Sequence, residues 1–155
     1  MSDIVVRLAQ AGEAEALTAL CVRSKAHWGY DAAFMQLSTA SLTVSDARIA
    51  SGSVLVAAEE DRIVGMAEVE PDGELGKMFV DPPAMGRGVG RLLFKAAVSM
   101  ARRLGARTMA ILADPNAAPF YERLGARFVS QAPSDAIPGR SLPLYEYVLT
   151  PEESP

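Results

Sequence analysis

Hydrophobic and polar residues alternate along this chain with two different periods, which indicates a domain built from both strands and helices. Segments with apolar residues every three to four positions predict helices at residues 13–24, 32–37, 88–104 and 116–124. Short apolar or alternating runs predict strands at residues 4–8, 53–59, 62–70, 74–80, 107–113, 127–130 and 144–149. Antiparallel hairpins come first and a strand–helix–strand–helix unit follows. This order predicts an α/β (α+β) fold, with a mixed, mostly antiparallel sheet of six to seven strands and about four flanking helices.

The length and the charge of the chain limit the number of domains and the classes of protein to which it can belong. The 155 residues suit one domain, which we place at residues 1–150, and the short acidic tail at 151–155 is expected to fray. Half of the residues are hydrophobic and the net charge is -4, which excludes a disordered chain and disfavours a nucleic-acid binder. We find no signal peptide, membrane-spanning run or disulfide pair, since Cys21 is the single cysteine. We therefore expect a cytoplasmic protein that binds neither nucleic acid nor membrane.

Three alternate glycines, Gly86, Gly88 and Gly90, separate a strand from the start of a long helix. Glycines at such a turn let the backbone approach a ligand closely, with amide N–H groups directed at it. The start of the helix adds unpaired N–H groups and a partial positive charge, which favour phosphate. A tight strand-to-helix turn without a ligand is the alternative interpretation.

Cationic residues strengthen the phosphate interpretation. Arg87, Arg91 and Lys95 are four residues apart, so a helix covering all three places them on one stripe. Cations at a helix N-terminus oppose the helix dipole, and like charges four residues apart repel each other. A bound polyanion would turn both effects into attraction. The dinucleotide fingerprint would require glycine at position 91, and the nucleotide P-loop motif is absent.

Two segments together resemble the Gcn5-related N-acetyltransferase (GNAT) superfamily. Residues 80–93, V-D-P-P-A-M-G-R-G-V-G-R-L-L, are similar to its loop for the pyrophosphate of acyl-CoA. Residues 113–126, A-D-P-N-A-A-P-F-Y-E-R-L-G-A, are similar to its later asparagine–tyrosine segment. The resemblance covers nearly the whole chain. It departs at Met85, where the family usually has Gln or Arg, and at Ala126, where Phe is frequent.

The resemblance implies a single-domain GNAT fold, acetyl-CoA as acyl donor, CoA as product and an amine as acceptor. It implies that Asn116 lies beside the cofactor arm and that Tyr121 donates a proton to the leaving thiolate. Helix capping by Asn116 and ordinary packing of Tyr121 are the alternatives. The strand implied to lie along the pantetheine arm contains Met78, Phe79 and Val80. The implied pyrophosphate cradle consists of Gly86, Arg87, Gly88, Val89, Gly90 and Arg91.

The general base and the acceptor site are harder to assign. An amine must lose a proton, and Glu68 is our candidate base; Glu70, Glu74, His27 and a water chain are the alternatives. For acceptor binding we assign Trp28, Tyr30 and Arg140, the last in a loop at residues 134–144. Arg140 either grips a carboxylate or is simply exposed. We assign no metal site.

Three functions follow from these residues. The first is acetyl transfer to a primary amine of a small molecule or peptide, by direct attack in a ternary complex. The second is a non-catalytic module that binds or senses acyl-CoA, and the third is an ordinary nucleotide-binding domain. A homodimer is expected because exposed strand edges favour pairing.

Overall fold

The computed structural model describes residues 3–149, and the tail at 151–155 lies outside them. Within the described range, the strands are β1 (Ile4–Leu8), β2 (Val54–Glu59), β3 (Arg62–Val69), β4 (Leu75–Val80), β5 (Thr108–Leu112), β6 (Arg127–Pro133) and β7 (Ser141–Val148). The helices are α1 (Ala14–Ala26), α2 (Ala32–Leu37), α3 (Thr39–Leu42), α4 (Asp46–Ala50), α5 (Val89–Arg103) and α6 (Ala118–Arg123). No helix in this part of the chain is long and apolar enough to cross a membrane.

The predicted α/β fold with six to seven mostly antiparallel strands is confirmed, with local differences that include the extension of β6 to Pro133. The short helices α3 and α4 were not predicted, because four or five residues are too few to show a helical period. Strand β7 begins at Ser141, inside the loop predicted at 134–144. Helix α6 begins at Ala118 rather than at residue 116.

The strands form two sheets rather than one. The first has the order β1-β2-β3-β4 and the second β5-β7-β6, and all of their pairings are antiparallel. Strands β4 and β5 begin side by side, since a Cβ added at Gly73 would lie 2.5 Å from the Ala106 Cβ. No hydrogen-bonded ladder joins them. Strands β4 and β5 are therefore neighbouring edge strands that are not paired with each other, and we call the space between their facing backbone edges the gap.

Apolar side chains cover both faces of the first sheet. On one face, Leu17 and Leu20 of α1 pack with Val56 and Met66 of the sheet. On the other face, α5 lies close to the backbone of β3 at Gly65. A Cβ added there would lie 2.8 Å from the Leu93 Cδ1 atom. This close packing fixes the start of α5 next to the end of β4.

Candidate active site

The backbone of β4 presents alternate residues to the gap. The Asp81 N–H donates to the Val64 carbonyl on β3 at 2.9 Å. Because bonded and non-bonded pairs alternate along an antiparallel ladder, Phe79 also pairs with β3, whereas Met78 and Val80 direct their N–H and C=O groups away from it. Two of the three strand residues predicted to line the pantetheine arm therefore face the gap with their backbone, and Phe79 does not.

The loop that contains Gly86, Gly88 and Gly90, which we call the glycine loop, is open where a phosphate would need space. Gly86 and Gly88 have φ angles of +80° and +83°, and a Cβ at either position would meet no atom within 4 Å. Gly88 precedes α5, and no side chain caps the helix there. The first N–H groups of α5 are thus free of a side-chain acceptor, and this loop fits an anionic group such as pyrophosphate.

At Gly90 and Val89, the side-chain direction faces packed protein rather than open space. A Cβ at Gly90 would lie 3.1 Å from the Phe120 Cζ atom, so glycine here allows α5 to approach α6. The Val89 side chain is buried in the core. If these two residues contact a ligand, they do so through the backbone.

Arg87 does not belong to the predicted cationic stripe. It precedes α5, and the left-handed conformation of Gly88 interrupts the helical spacing between Arg87 and Arg91. Its guanidinium instead donates to both carboxylate oxygens of Glu59, at 3.1 and 2.5 Å. This pair raises the pKa of Arg87 and lowers the pKa of Glu59. Of the three cations predicted to form the stripe, Arg91 and Lys95 lie on α5 and are exposed.

Tyr121 lies on α6, among aromatic rings. Its ring centre is 5.3 Å from that of Phe120 and 6.1 Å from that of Phe94. Burial raises the pKa of its phenol well above the ordinary value. Within residues 3–149, no group hydrogen-bonds to its hydroxyl. The side chain is therefore a protonated phenol with a free donor.

A polar cluster, which we call the Tyr30 cluster, joins Lys25, Tyr30, Asp114, Asn116 and Arg140. One Asp114 oxygen accepts from the Lys25 ammonium at 2.5 Å and from the Tyr30 hydroxyl at 2.8 Å. The other accepts from the Asn116 amide at 2.9 Å. Asn116 and Arg140 also donate to the Tyr30 hydroxyl, at 3.2 and 3.0 Å. Asn116 and Arg140, both predicted from the sequence, thus meet at the hydroxyl of the third predicted residue, Tyr30.

The Tyr30 cluster rules out helix capping by Asn116, and it contains two residues that the sequence analysis did not select, Lys25 and Asp114. The N-cap of α6 is Ala117, so Asn116 does not cap the helix. Sequence reasoning missed Lys25 and Asp114, although Asp114 stands inside the quoted motif. Burial raises the pKa of Asp114, but the hydrogen bonds from Lys25, the Asn116 backbone and Tyr30 outweigh that effect, and the net pKa is lowered.

The predicted aromatic residue Trp28 lies outside the Tyr30 cluster. Its side chain is exposed, and its ring contacts that of His27 at 5.3 Å. Tyr30 instead stacks on Phe34, with ring centres 4.0 Å apart. The aromatic wall of this region is formed by Tyr30 and Phe34.

The candidate base Glu68 lies in a buried ion network on the α1 side of the sheet. Its side chain is 4% exposed, and its oxygens lie 3.3 Å from Arg48 Nε and 3.7 Å from Lys77 Nζ. Arg48 also pairs with Glu70, at 3.1 Å. The Glu68 Oε1 atom is buried, and no group within residues 3–149 donates a hydrogen bond to it.

Cys21 is fully buried, and burial raises the pKa of its thiol to about 12. Cys21 is therefore an apolar residue of the core.

Comparison with known proteins identifies the family. Residues 9–135 match the model of an acetyltransferase (GNAT) domain. No curated protein sequence shows significant similarity to the chain.

Solved structures of similar size share the fold. A GCN5-related N-acetyltransferase from Rhodopseudomonas palustris is 26% identical, with a TM-score of 0.78 over 96% of this chain and 98% of that one. An acetyltransferase from Salmonella typhimurium, solved with acetyl-CoA, is 25% identical, with a TM-score of 0.68 over 99% and 98%. An N-acetyltransferase from Thermoplasma acidophilum, solved with coenzyme A, is 13% identical and supports the fold alone, with a TM-score of 0.76 over 94% and 99%. The chain belongs to the GNAT acetyltransferase family.

Proposed function

We propose that this chain is an acetyl-CoA-dependent N-acetyltransferase that acetylates a primary amine by direct attack within a ternary complex. One arrangement carries the proposal: an open glycine loop at the end of a strand whose outer backbone edge has no ladder partner among residues 3–149, in a chain of the GNAT family. The acetyl-CoA and CoA bound to the Salmonella and Thermoplasma proteins support the choice of donor.

Backbone groups of the protein would make most of the contacts to the acyl donor, acetyl-CoA. The amides of residues 86–91 suit the pyrophosphate, with the exposed Arg91 side chain beside them. The outward groups of Met78 and Val80 suit the amide-bearing pantetheine arm, which would pair with β4 as an added strand does. When bound, acetyl-CoA supplies an acyl group activated as a thioester.

Two groups of the chain suit the acyl transfer itself. An N–H of Met78 or Val80 would donate to the acyl carbonyl oxygen as negative charge develops, and one such donor is typically worth ~2.7–4 kcal/mol. The Tyr121 hydroxyl is protonated at neutral pH and has no hydrogen-bond partner within residues 3–149, so it suits donation of a hydrogen bond, and then of its proton, to the departing sulfur as negative charge develops there. The buried thiol of Cys21 argues against a covalent enzyme intermediate.

For the general base, Glu68 remains our proposal. Of the two oxygens, Oε1 suits proton acceptance better: within residues 3–149 it accepts no hydrogen bond and lies 3.7 Å from the Lys77 ammonium, whereas Oε2 accepts a hydrogen bond from Arg48. Since the residue is only 3% exposed, the proton would travel from the amine through water rather than by direct contact.

Homodimer formation also remains a prediction. Strand β6 lies at the edge of its sheet and exposes Phe128 and Val129. Sedimentation equilibrium of the wild type and of Phe128→Ser would test pairing through this edge.

Thermal unfolding with acetyl-CoA, CoA, ATP and NAD in parallel tests the donor site. A ligand at 100 times its dissociation constant stabilises a fold by about 2.7 kcal/mol, which is a visible shift. We expect a shift with the two CoA species only. A shift with ATP or NAD of equal size would support the nucleotide-binding alternative, and no shift with CoA would remove the assignment of residues 86–91.

A further inference from the structure

Arg140 is positioned before any ligand arrives. Its guanidinium carbon lies 4.8 Å from the centre of the Phe34 ring and 5.2 Å from that of Tyr30. One of its terminal nitrogens donates to the Tyr30 hydroxyl at 3.0 Å. Stacking and this hydrogen bond together restrict a side chain that otherwise has many rotamers.

The positive charge of Arg140 has no counterion in the described structure. Within residues 3–149, no carboxylate lies within ion-pair distance of it, whereas Arg7, Arg23, Arg48 and Arg87 each have one. The carboxylate in the Tyr30 cluster, Asp114, is 2.5 Å from the Lys25 ammonium. Two cations and one carboxylate leave the cluster with one excess positive charge.

Arg140 also keeps N–H donors available. Its Nε and Nη1 atoms make no hydrogen bond within residues 3–149, and neither is among the fully buried polar atoms. A guanidinium with unused donors and no counterion is suited to a carboxylate, to which it can make charge-assisted hydrogen bonds.

The position of the cluster connects it to the proposed chemistry. It is formed by the end of α1 and the segment before α2, the segment after β5, and the loop before β7. The segment after β5 runs from Asp114 directly into α6, which carries Tyr121. Two members of the cluster, Asp114 and Asn116, therefore lie on the same short stretch of chain as the proposed acid.

We infer that Arg140 determines the class of acceptor: a primary amine that also carries a carboxylate, whose anion pairs with this guanidinium. The inference rests on the proposed acetyltransferase function. It assigns the specificity to charge pairing, while Tyr30 and Phe34 position the guanidinium.

The test compares acids with their amides as acceptors. α-Amino acids and ω-amino acids of different lengths, and the primary amide of each, are assayed by acetyl-CoA-dependent thiol release, because the amide keeps the shape and removes the charge. For the best acid we expect kcat/KM to exceed that of its amide by roughly 10- to 100-fold. Arg140→Ala should bring this ratio close to one, and Arg140→Lys should restore part of it. Arg107→Ala, at an exposed arginine before β5, is the matched control and should keep the full ratio.

The outcomes separate this inference from the proposed function. Equal acetylation of acids and amides by the wild type overturns the inference and leaves the acetyltransferase function standing. If Arg140→Ala leaves the acid-to-amide ratio of kcat/KM unchanged but weakens CoA binding measured by calorimetry, the inference is also overturned. Arg140 would then belong to the binding site of the acyl donor. If no amine in the panel is acetylated although CoA binds, the proposed function fails and the inference fails with it.

Discussion

Replacement of Gly88 by alanine separates backbone strain from ligand binding. Gly88 has a φ of +83° and Gly52 has a φ of +76°, and a Cβ at either position would meet no atom within 4 Å. Alanine in this left-handed conformation costs roughly 1–2 kcal/mol. At about 2–4 °C per kcal/mol for a domain of this size, Gly88→Ala and Gly52→Ala should each lower the Tm by about 2–8 °C.

The two variants should differ in CoA binding. The methyl group at position 88 would occupy the open side of the glycine loop, where backbone amides face the proposed pyrophosphate, whereas Gly52 lies in the turn after α4. Loss of one hydrogen bond to a charged group corresponds to roughly a 10- to 100-fold weaker Kd. Isothermal titration with CoA should show this loss for Gly88→Ala and wild-type affinity for Gly52→Ala. Equal affinities in the two variants would refute the reasoning.

Three further predictions concern side chains near the site. Tyr121→Phe should lower amine-dependent thiol release by about 100-fold or more without changing the Tm, since the hydroxyl has no partner within residues 3–149; an unchanged rate removes Tyr121 from the acid role. Because the pKa of Asp114 is lowered by folding, its stabilising effect is present above the unfolded value of about 3.9 and is lost as the pH falls through the lower folded value. Asp114→Asn, which breaks the pair with Lys25, should lower stability at neutral pH and flatten the acid limb measured by urea unfolding between pH 2 and about 7; an unchanged acid limb would contradict the lowered pKa. Glu59→Gln should strengthen CoA binding by up to about fivefold at low salt, because Arg87 loses its competing carboxylate; weaker binding would mean that Glu59 instead positions Arg87 for the ligand.

The sequence was informative where a local pattern determines structure. The period of apolar residues predicted every strand, and the glycines predicted the turn before α5, since only glycine readily adopts the φ of Gly86 and Gly88. The cationic stripe was wrong at Arg87 because one left-handed residue before α5 changes the direction of the chain. The spacing of the charged residues alone does not indicate this change of direction.

Contacts between distant segments were beyond local reasoning. Lys25 and Asp114 are 89 residues apart, and neither neighbourhood indicates the ion pair that joins them. The helix-capping alternative for Asn116 failed because α6 begins two residues later, which leaves the amide free to bond to Asp114 and Tyr30. The separation of the strands into two sheets likewise depends on tertiary packing, and periodicity does not report it.

Amine-dependent turnover tests the central claim most directly. Purified protein is incubated with acetyl-CoA and a panel of primary amines, and thiol release is measured together with acetylated amine by mass spectrometry. We predict that at least one amine accelerates thiol release and that acetylated amine accumulates in equal amount. Binding of CoA without any amine-dependent release across the panel would contradict the account and favour a non-catalytic acyl-CoA-binding module.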